Sequence, residues 1–564
     1  MDVASDAAPP APATAARRRK ELGLLCGVVA LGLLAFLDKP VHVDDPVYLW
    51  VAERIQTHPT DPYGFELNWH GTRDPVHAIQ QNPPGVSYAQ ASVRSVFGPS
   101  IAAQHGVALV WALGALLGVY LLAERFTRSP GVATALVATT PAFFVSATTL
   151  MSDLPMLACW CGAIACWVRG LDRGSTRWLV VGGSLIGVAA LTKYFAVALL
   201  PLLAAYTALR GVRAPRVWAV FALPVSVLVG FEAAAHGLYG HGLLSQVPGY
   251  ATGVRQYLGQ PWWNDAIVAL AFIGGCAFPL PLLTGGASDP RGRVLGALAL
   301  LALVGAVVAW SPLPYEIDVA TTRGWVLVHV VIFAWAGACL VALGVAGARR
   351  AARDPDHALL VLWGAGVFAF VAFFNWSANA RAVLPLVPAA ALGGVRAWEA
   401  RAGSPLSLVR AAPLLALGAA LSLSVAHADR DWATGAMRMA RQLAHDYGAG
   451  AQRVFFQGHW GFQYYFESAG GRAYDVHRDR LVPGDIVIMP RNNVHLTQLD
   501  PSKAIELEVR DAGRTSPWSL MGGGAGFYSS VWGPVPFSLG PSAPELYRVL
   551  EVRAPIPPRP ALGR

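Results

Sequence analysis

The ionisable residues Asp44, Asp45, Asp153, Lys193, Glu316, Asp318, Arg323 and Arg381 stand where long apolar runs of the chain end. A carboxylate at such a boundary can take a proton from a substrate hydroxyl or bind a cation. A lysine or arginine there can offset charge that builds on a departing phosphate. In VHVDDPVYLW (41–50) local physics separates the two acids. Pro46 suits the first helical position and the residue before it the N-cap, so Asp45 reads as a cap. Val47, Val51 and Ile55 then share one face of the helix that follows, with Glu53, Arg54 and Gln56 elsewhere. That pattern suits a helix lying along a membrane interface. Asp44, neither cap nor ion-pair partner in this reading, is the candidate general base. Lys193 and Asp153 also have ordinary explanations, as a snorkelling lysine at a helix end and as the cap of the run that begins Leu154-Pro155.

Other groupings carry less. His70 and His77 flank Asp74 without tight metal-ligand spacing, and solvated loop histidines are the commoner case. GGGAG (522–526) lacks the strand-turn-helix setting of a nucleotide-binding loop and reads as a flexible surface loop. The six cysteines all fall inside apolar runs, which argues against both a disulfide framework and a thiolate metal site. The aromatic run His459, Trp460, Phe462, Tyr464, Tyr465 and Phe466 fits core packing of a small domain better than sugar stacking.

The elements that must position these side chains are set by composition. Over 564 residues, 54% are hydrophobic and only 14% charged, which marks a polytopic membrane protein. Apolar runs near 21–37, 101–122, 131–150, 154–169, 178–192, 195–209, 217–235, 265–283, 293–310, 325–345, 358–374, 382–397 and 411–426 predict about thirteen transmembrane helices. The net charge of +9 gathers in short turns such as RRRK (17–20), ERFTR (124–128), RGVRAPR (210–216) and ARRAARDPDH (348–357). The alternate turns hold scarcely any basic residues beyond Lys193, Arg255, Arg323 and Arg381. This asymmetry predicts a cytoplasmic N-terminus and places loop 38–100 and the tail outside. The expected organisation is a disordered basic segment at 1–20, a membrane domain at 21–426, and a small α/β extracytoplasmic domain at 427–564. Because ionisable residues avoid the helix centres, an ion-coupled transporter is disfavoured.

HVDDPVYLWVAERI resembles the first outer loop of GT-C glycosyltransferases of the protein O-mannosyltransferase and aminoarabinose-transferase type, bacterial family 39-like. QNPPGVSYAQA (81–91), MSDLPM (151–156), LTKYFA (191–196) and NARAVLPLVPAAAL (379–392) are similar to later segments of that family in the same order, and GHWGFQYYFE (458–467) to a motif of bacterial members with an outer C-terminal domain. Where aminoarabinose transferases have a lysine before the Pro-Pro segment, this chain has Asn82, which argues against that specificity.

The resemblance implies a GT-C fold and an inverting transfer of a hexose or pentose from a polyprenyl-phosphate carrier to a lipid, glycan or protein acceptor. The place would be the outer face of a bacterial inner membrane. It implies Asp44 and Asp45 as catalytic residues and Tyr48, Asn82, Asp153, Lys193, Tyr194 and Arg381 as substrate-binding ones. Some such enzymes hold a divalent cation at the acid pair, and the sequence leaves this open. The alternative function is a transporter or flippase for polyprenyl-linked saccharides. No feature points to nucleic acid.

Overall fold

The computed structural model describes residues 15–259, 261–284, 290–309, 320–448, 453–540 and 545–560. Of the segment expected to be disordered, 1–20, residues 1–14 lie outside these ranges, as do Glu316 and Asp318, whereas residues 15–20 are not disordered but begin the helix Ala15–Leu34, continuous with the apolar run that follows. The described chain is mostly helical. Among the described residues six helices are long and apolar enough to cross a membrane: Ile101–Phe126, Asp153–Arg173, Pro215–Tyr239, Arg323–Ala348, Pro355–Phe374 and Leu408–Gly448. Four shorter apolar helices accompany them, Thr176–Thr192, Tyr194–Leu209, Trp262–Cys276 and Gly296–Ala309.

Three of the expected spans are interrupted at prolines. The run 131–150 forms Pro130–Ala138 and Pro141–Ser146. Thr140 between them is extended (φ −84°, ψ 143°), as a residue before proline prefers, and Pro141 has no N–H to continue the ladder. The run 382–397 divides at Pro385 into Ala380–Val383 and Leu386–Ala402. The run 265–283 ends its α-helix at Cys276, before Pro279 and Pro281. The first interruption is packed rather than frayed. Gly418 of the Leu408–Gly448 helix lies against it, where a Cβ would come within 2.9 Å of the Thr139 carbonyl, and Ser422 Oγ donates to that carbonyl at 2.8 Å.

The 41-residue helix Leu408–Gly448 spans roughly 60 Å at the usual rise, and runs unbroken through the expected boundary at 426/427. Its second half carries a five-stranded sheet ordered Arg472–Ala473, Val454–Phe456, Ile486–Pro490, Leu546–Val552, Ala504–Asp511. The central strands are buried on both faces. Phe456, Ile486, Ile488, Tyr547 and Val549 pack on Met439, Ala440 and Leu443 of the long helix, while Phe455, Val487, Leu550 and Val552 close the opposite side. The aromatic run forms the short helix Gly461–Ser468, in which Phe462 and Phe466 stack at 5.3 Å and belong to the core.

Loop 38–100 is folded as well. Its helix Asp45–Thr57 buries Val47, Val51 and Ile55 and packs on the helix Gly85–Phe97. A hairpin, Glu66–Asn68 with Arg73–Pro75, docks on the sheet region. Val476 N–H donates to Gly71 O at 3.1 Å, Asn68 Nδ2 donates to Tyr474 O at 3.1 Å, and Arg478 pairs with Glu66 at 2.7 Å. GGGAG forms a tight hairpin between Met521–Gly522 and Ala525–Gly526, with Gly522, Gly523 and Gly524 all at positive φ. A Cβ on Gly524 would meet Val326 Cγ2 at 2.4 Å, so this is a close-packed turn and not the expected surface loop.

Candidate active site

The interrupted run at 131–150 leaves residues 147–152 outside regular helix, and this loop comes to lie against Asp45 and Arg381. Asp44 occupies the N-cap position of Asp45–Thr57, but its side chain makes no capping bond. Its Oδ2 lies 2.7 Å from Arg381 Nη1, and the same nitrogen lies 3.0 Å from Met151 Sδ. Asp44 is therefore an ion-pair partner, contrary to the sequence expectation. It remains one-third exposed, and Arg381 one-fifth, so both can meet a ligand. Arg381 is brought there by the helix Ala380–Val383, whose start is capped by Asn379 Oδ1 accepting from Ala382 N–H at 2.8 Å.

Asp45 is also corrected. It is the first residue of the helix rather than its cap, and Pro46 follows as the second. Its carboxylate is fully buried and accepts two backbone N–H bonds, from His42 at 3.1 Å and Leu150 at 2.9 Å. Burial pushes this carboxyl up to about 7, opposed by the Lys39 charge and the two N–H bonds. The turn it fastens is strained. Val43, a β-branched residue, holds a positive φ of 47° immediately before Asp44, a conformation that persists only where the surroundings impose it. The C-terminal region helps impose it. Val41 N–H donates to Tyr465 Oη at 2.8 Å, and Gly461 lies so close to Val41 O that a Cβ would reach 2.3 Å.

Lys193 Nζ contacts Asp153 Oδ1 in an ion pair whose carboxylate is almost wholly buried and whose ammonium is about one-fifth exposed. Tyr48 Oη lies 3.0 Å from Ser152 Oγ, beside that pair, and burial together with the Asp153 charge pushes the phenol up to about 12. Tyr194 is buried, with its hydroxyl unbonded among the described residues. Asn82 contributes its carbonyl to the Tyr63 hydroxyl at 2.6 Å. Its segment reaches the lysine turn at Gly85, where a Cβ would lie 2.5 Å from Leu191 O. Asp44, Tyr48, Asp153, Lys193 and Arg381 thus gather at one end of the helices. Asn82 and Tyr194 stand beside them without a side-chain bond into the cluster.

A divalent cation does not fit the acid pair. A guanidinium occupies one face of Asp44, and both oxygens of Asp45 are taken by backbone N–H groups. Among the described residues no three His, Cys, Asp or Glu side chains converge as a metal site. His70 meets His495 edge to face at 4.6 Å between ring centroids, and His77 faces His241 at 3.1 Å, so the two histidines that flank Asp74 point into different contacts.

Behind the cluster lies a buried network that no spacing in the sequence announces. Lys39 Nζ contacts Asp429 Oδ2, and both side chains are fully buried. His42 Nε2 lies 3.5 Å from Asp429 Oδ1, and Tyr528 Oη donates to Asp429 Oδ2 at 2.7 Å. The sequence signal is slight: Lys39 stands two residues after the apolar run that ends at Leu37. Asp429 and Tyr528 have none.

Residues 81–232 match the family model of dolichyl-phosphate-mannose-protein mannosyltransferases, a range that contains Asn82, Asp153, Lys193 and Tyr194. No curated protein matches the chain. Among solved structures it is similar to the Archaeoglobus fulgidus oligosaccharyltransferase tethered with an acceptor peptide, at 16% identity and a TM-score of 0.44, covering 81% of this chain and 64% of that one. The chain thus spans less than two thirds of that enzyme's length. It is also similar to ArnT from Cupriavidus metallidurans bound to undecaprenyl phosphate, at 15% identity, a TM-score of 0.39 and coverage of 84% and 93%. A third likeness is to the S. cerevisiae protein O-mannosyltransferase Pmt1-Pmt2 complex bound to the sugar donor, at 13% identity, a TM-score of 0.31 and coverage of 40% and 33%.

Proposed function

We propose that this protein is a multi-pass membrane glycosyltransferase that moves a sugar from a polyprenyl-phosphate donor to a hydroxyl-bearing lipid, glycan or protein, with inversion, on the extracytoplasmic face of a bacterial inner membrane. The thirteen passes expected from sequence follow if the six long and four shorter apolar helices are joined by Ala15–Leu34, the interrupted pair within 130–146, and Leu386–Ala402. In this arrangement 1–20 faces the cytoplasm, 21–426 forms the membrane domain, and 427–564 lies outside with loop 38–100.

The observation that carries the reading is the gathering of Asp44, Asp153, Lys193 and Arg381 from four distant segments at one end of the bundle. Two carboxylates and two cations there match the charges that a sugar-phosphate transfer must manage. The acceptor hydroxyl gives its proton to the Asp44 carboxylate as its oxygen bonds to the anomeric carbon. The bond from that carbon to the phosphate oxygen breaks, and the charge released onto the polyprenyl phosphate is met by Arg381 and Lys193. Arg381 holds the Asp44 carboxylate before the donor arrives, and the donor phosphate then competes for the guanidinium and frees the base. Buried Asp153 holds Lys193 in place. A saccharide flippase would need such groups along a central path, whereas these sit at the helix ends.

The test is transfer by purified protein in liposomes supplied with polyprenyl-phosphate sugars, read by mass spectrometry of lipid and protein products. Transfer that persists unchanged in Asp44→Asn sinks the mechanism.

A further inference from the structure

The segment 377–381, which carries Arg381, lies beside residues 527–530 of the C-terminal region. Ala380 N–H donates to Phe527 O at 2.9 Å and Ser530 N–H to Ala378 O at 2.8 Å. Ser529 Oγ and Ser377 Oγ meet at 3.2 Å. Tyr528 stands between these two backbone clamps and is buried. Its ring faces the Arg381 guanidinium, with 5.9 Å from the guanidinium carbon to the ring centroid. Its hydroxyl donates to Asp429, which also holds Lys39, two residues before Val41 and the strained turn. One side chain of the C-terminal region therefore touches both the cation that grips Asp44 and the network behind the Asp44 turn.

We infer that Tyr528 is a positioning residue of the transfer site, fixing the Arg381 guanidinium between Asp44 and the place of the donor phosphate, so that the C-terminal region completes the site. This rests on the reading of Arg381 given above. The ring supplies an electrostatic seat for a guanidinium that Asp44 alone would hold at one edge, and the backbone clamps at Phe527 and Ser530 keep the ring in place. A tyrosine that only filled the core would give the same burial without coupling to Arg381.

The experiment compares wild type, Tyr528→Phe, Tyr528→Leu, Arg381→Ala and the double variant Tyr528→Leu/Arg381→Ala. It measures kcat, KM for the hydroxyl acceptor, binding of polyprenyl phosphate, and melting temperature in detergent. Tyr528→Leu should lower kcat and polyprenyl-phosphate affinity roughly tenfold, the scale of a desolvated cation–ring contact, and leave acceptor KM unchanged. Tyr528→Phe keeps the ring and the buried volume and should retain most of both. In the Arg381→Ala background Tyr528→Leu should have no further effect. Equal losses in both backgrounds, or a phenylalanine variant as impaired as the leucine one, overturn the inference. A wild-type protein that neither transfers sugar nor binds polyprenyl phosphate overturns the reading of the site instead. The melting-temperature cycle then judges the Tyr528–Arg381 contact alone, and absence of coupling there overturns it.

Discussion

Asp44 and Arg381 are 337 residues apart in the chain, and their side chains meet at 2.7 Å. The contact joins the first loop of the protein to a segment between its last apolar helices. Each partner is partly exposed, so the pair can open to a ligand without leaving a buried charge unpaired. This is what distinguishes it from the Lys39–Asp429 pair, which is sealed on all sides and can only hold structure.

Asp44→Asn should keep the fold and polyprenyl-phosphate binding while lowering transfer by about 10²- to 10⁴-fold, the usual contribution of a positioned base. The asparagine has the same shape and can still accept from Arg381, so the loss should fall on kcat. Steady-state rates with a fixed donor and varied acceptor check this, and a change confined to KM would argue against Asp44 as the base.

Lys193→Ala should destabilise the protein by about 3–5 kcal/mol, because it strands the buried Asp153 carboxylate without its cation. Adding Asp153→Asn should recover much of that stability and none of the activity. Detergent melting curves of the single and double variants test the first part, and transfer assays the second.

Much of this site was legible because membrane proteins place charge sparingly. Asp153, Lys193 and Arg381 stand out as ionisable residues at the ends of apolar runs, and Asp44 because its neighbour has a local explanation. That local explanation was the wrong one. The proline rule assigned Asp45 to capping, but its carboxylate is used by Leu150 N–H, 105 positions away, which no short-range pattern encodes. The same holds for Tyr528 and Asp429, whose partners are brought by the long helix and the glycine hairpin. The interruptions at Pro141 and Pro385 were readable from the proline rule itself, yet hydropathy averaged over them. Those breaks leave Met151 in a loop and Arg381 on a short separate helix.

Stability should fall as pH rises from about 5 to about 7. Burial pushes the Glu545 carboxyl up to about 7, against the Asn492 bond and the Arg514 charge. Between its unfolded value and that point the folded protein binds the extra proton, so stability decreases with pH, and it levels off once both states are ionised. Asp45 acts in the same direction. Glu545→Gln removes one titrating group and keeps a partner for Asn492, so its melting temperature should vary less over this window. An identical pH slope in wild type and variant would show that Glu545 is ionised in the native protein.

Asp45→Ala should cost both stability and turnover, because its carboxylate fastens the turn that carries Asp44. The substitution leaves the buried N–H groups of His42 and Leu150 without acceptors, at about 1–3 kcal/mol each. It also unfastens the turn in which Val43 is held at positive φ, so the strain there can relax and carry Asp44 away from Arg381. Asp45→Asn retains one acceptor and should fall between wild type and alanine. Asp44→Ala, by contrast, should leave the melting temperature nearly unchanged, since its carboxylate is partly exposed and ties down no backbone group. Melting temperatures of the four proteins separate the two acids: if the Asp45 variants match wild type and the Asp44 variant does not, the assignment of one acid to structure and the other to chemistry is reversed.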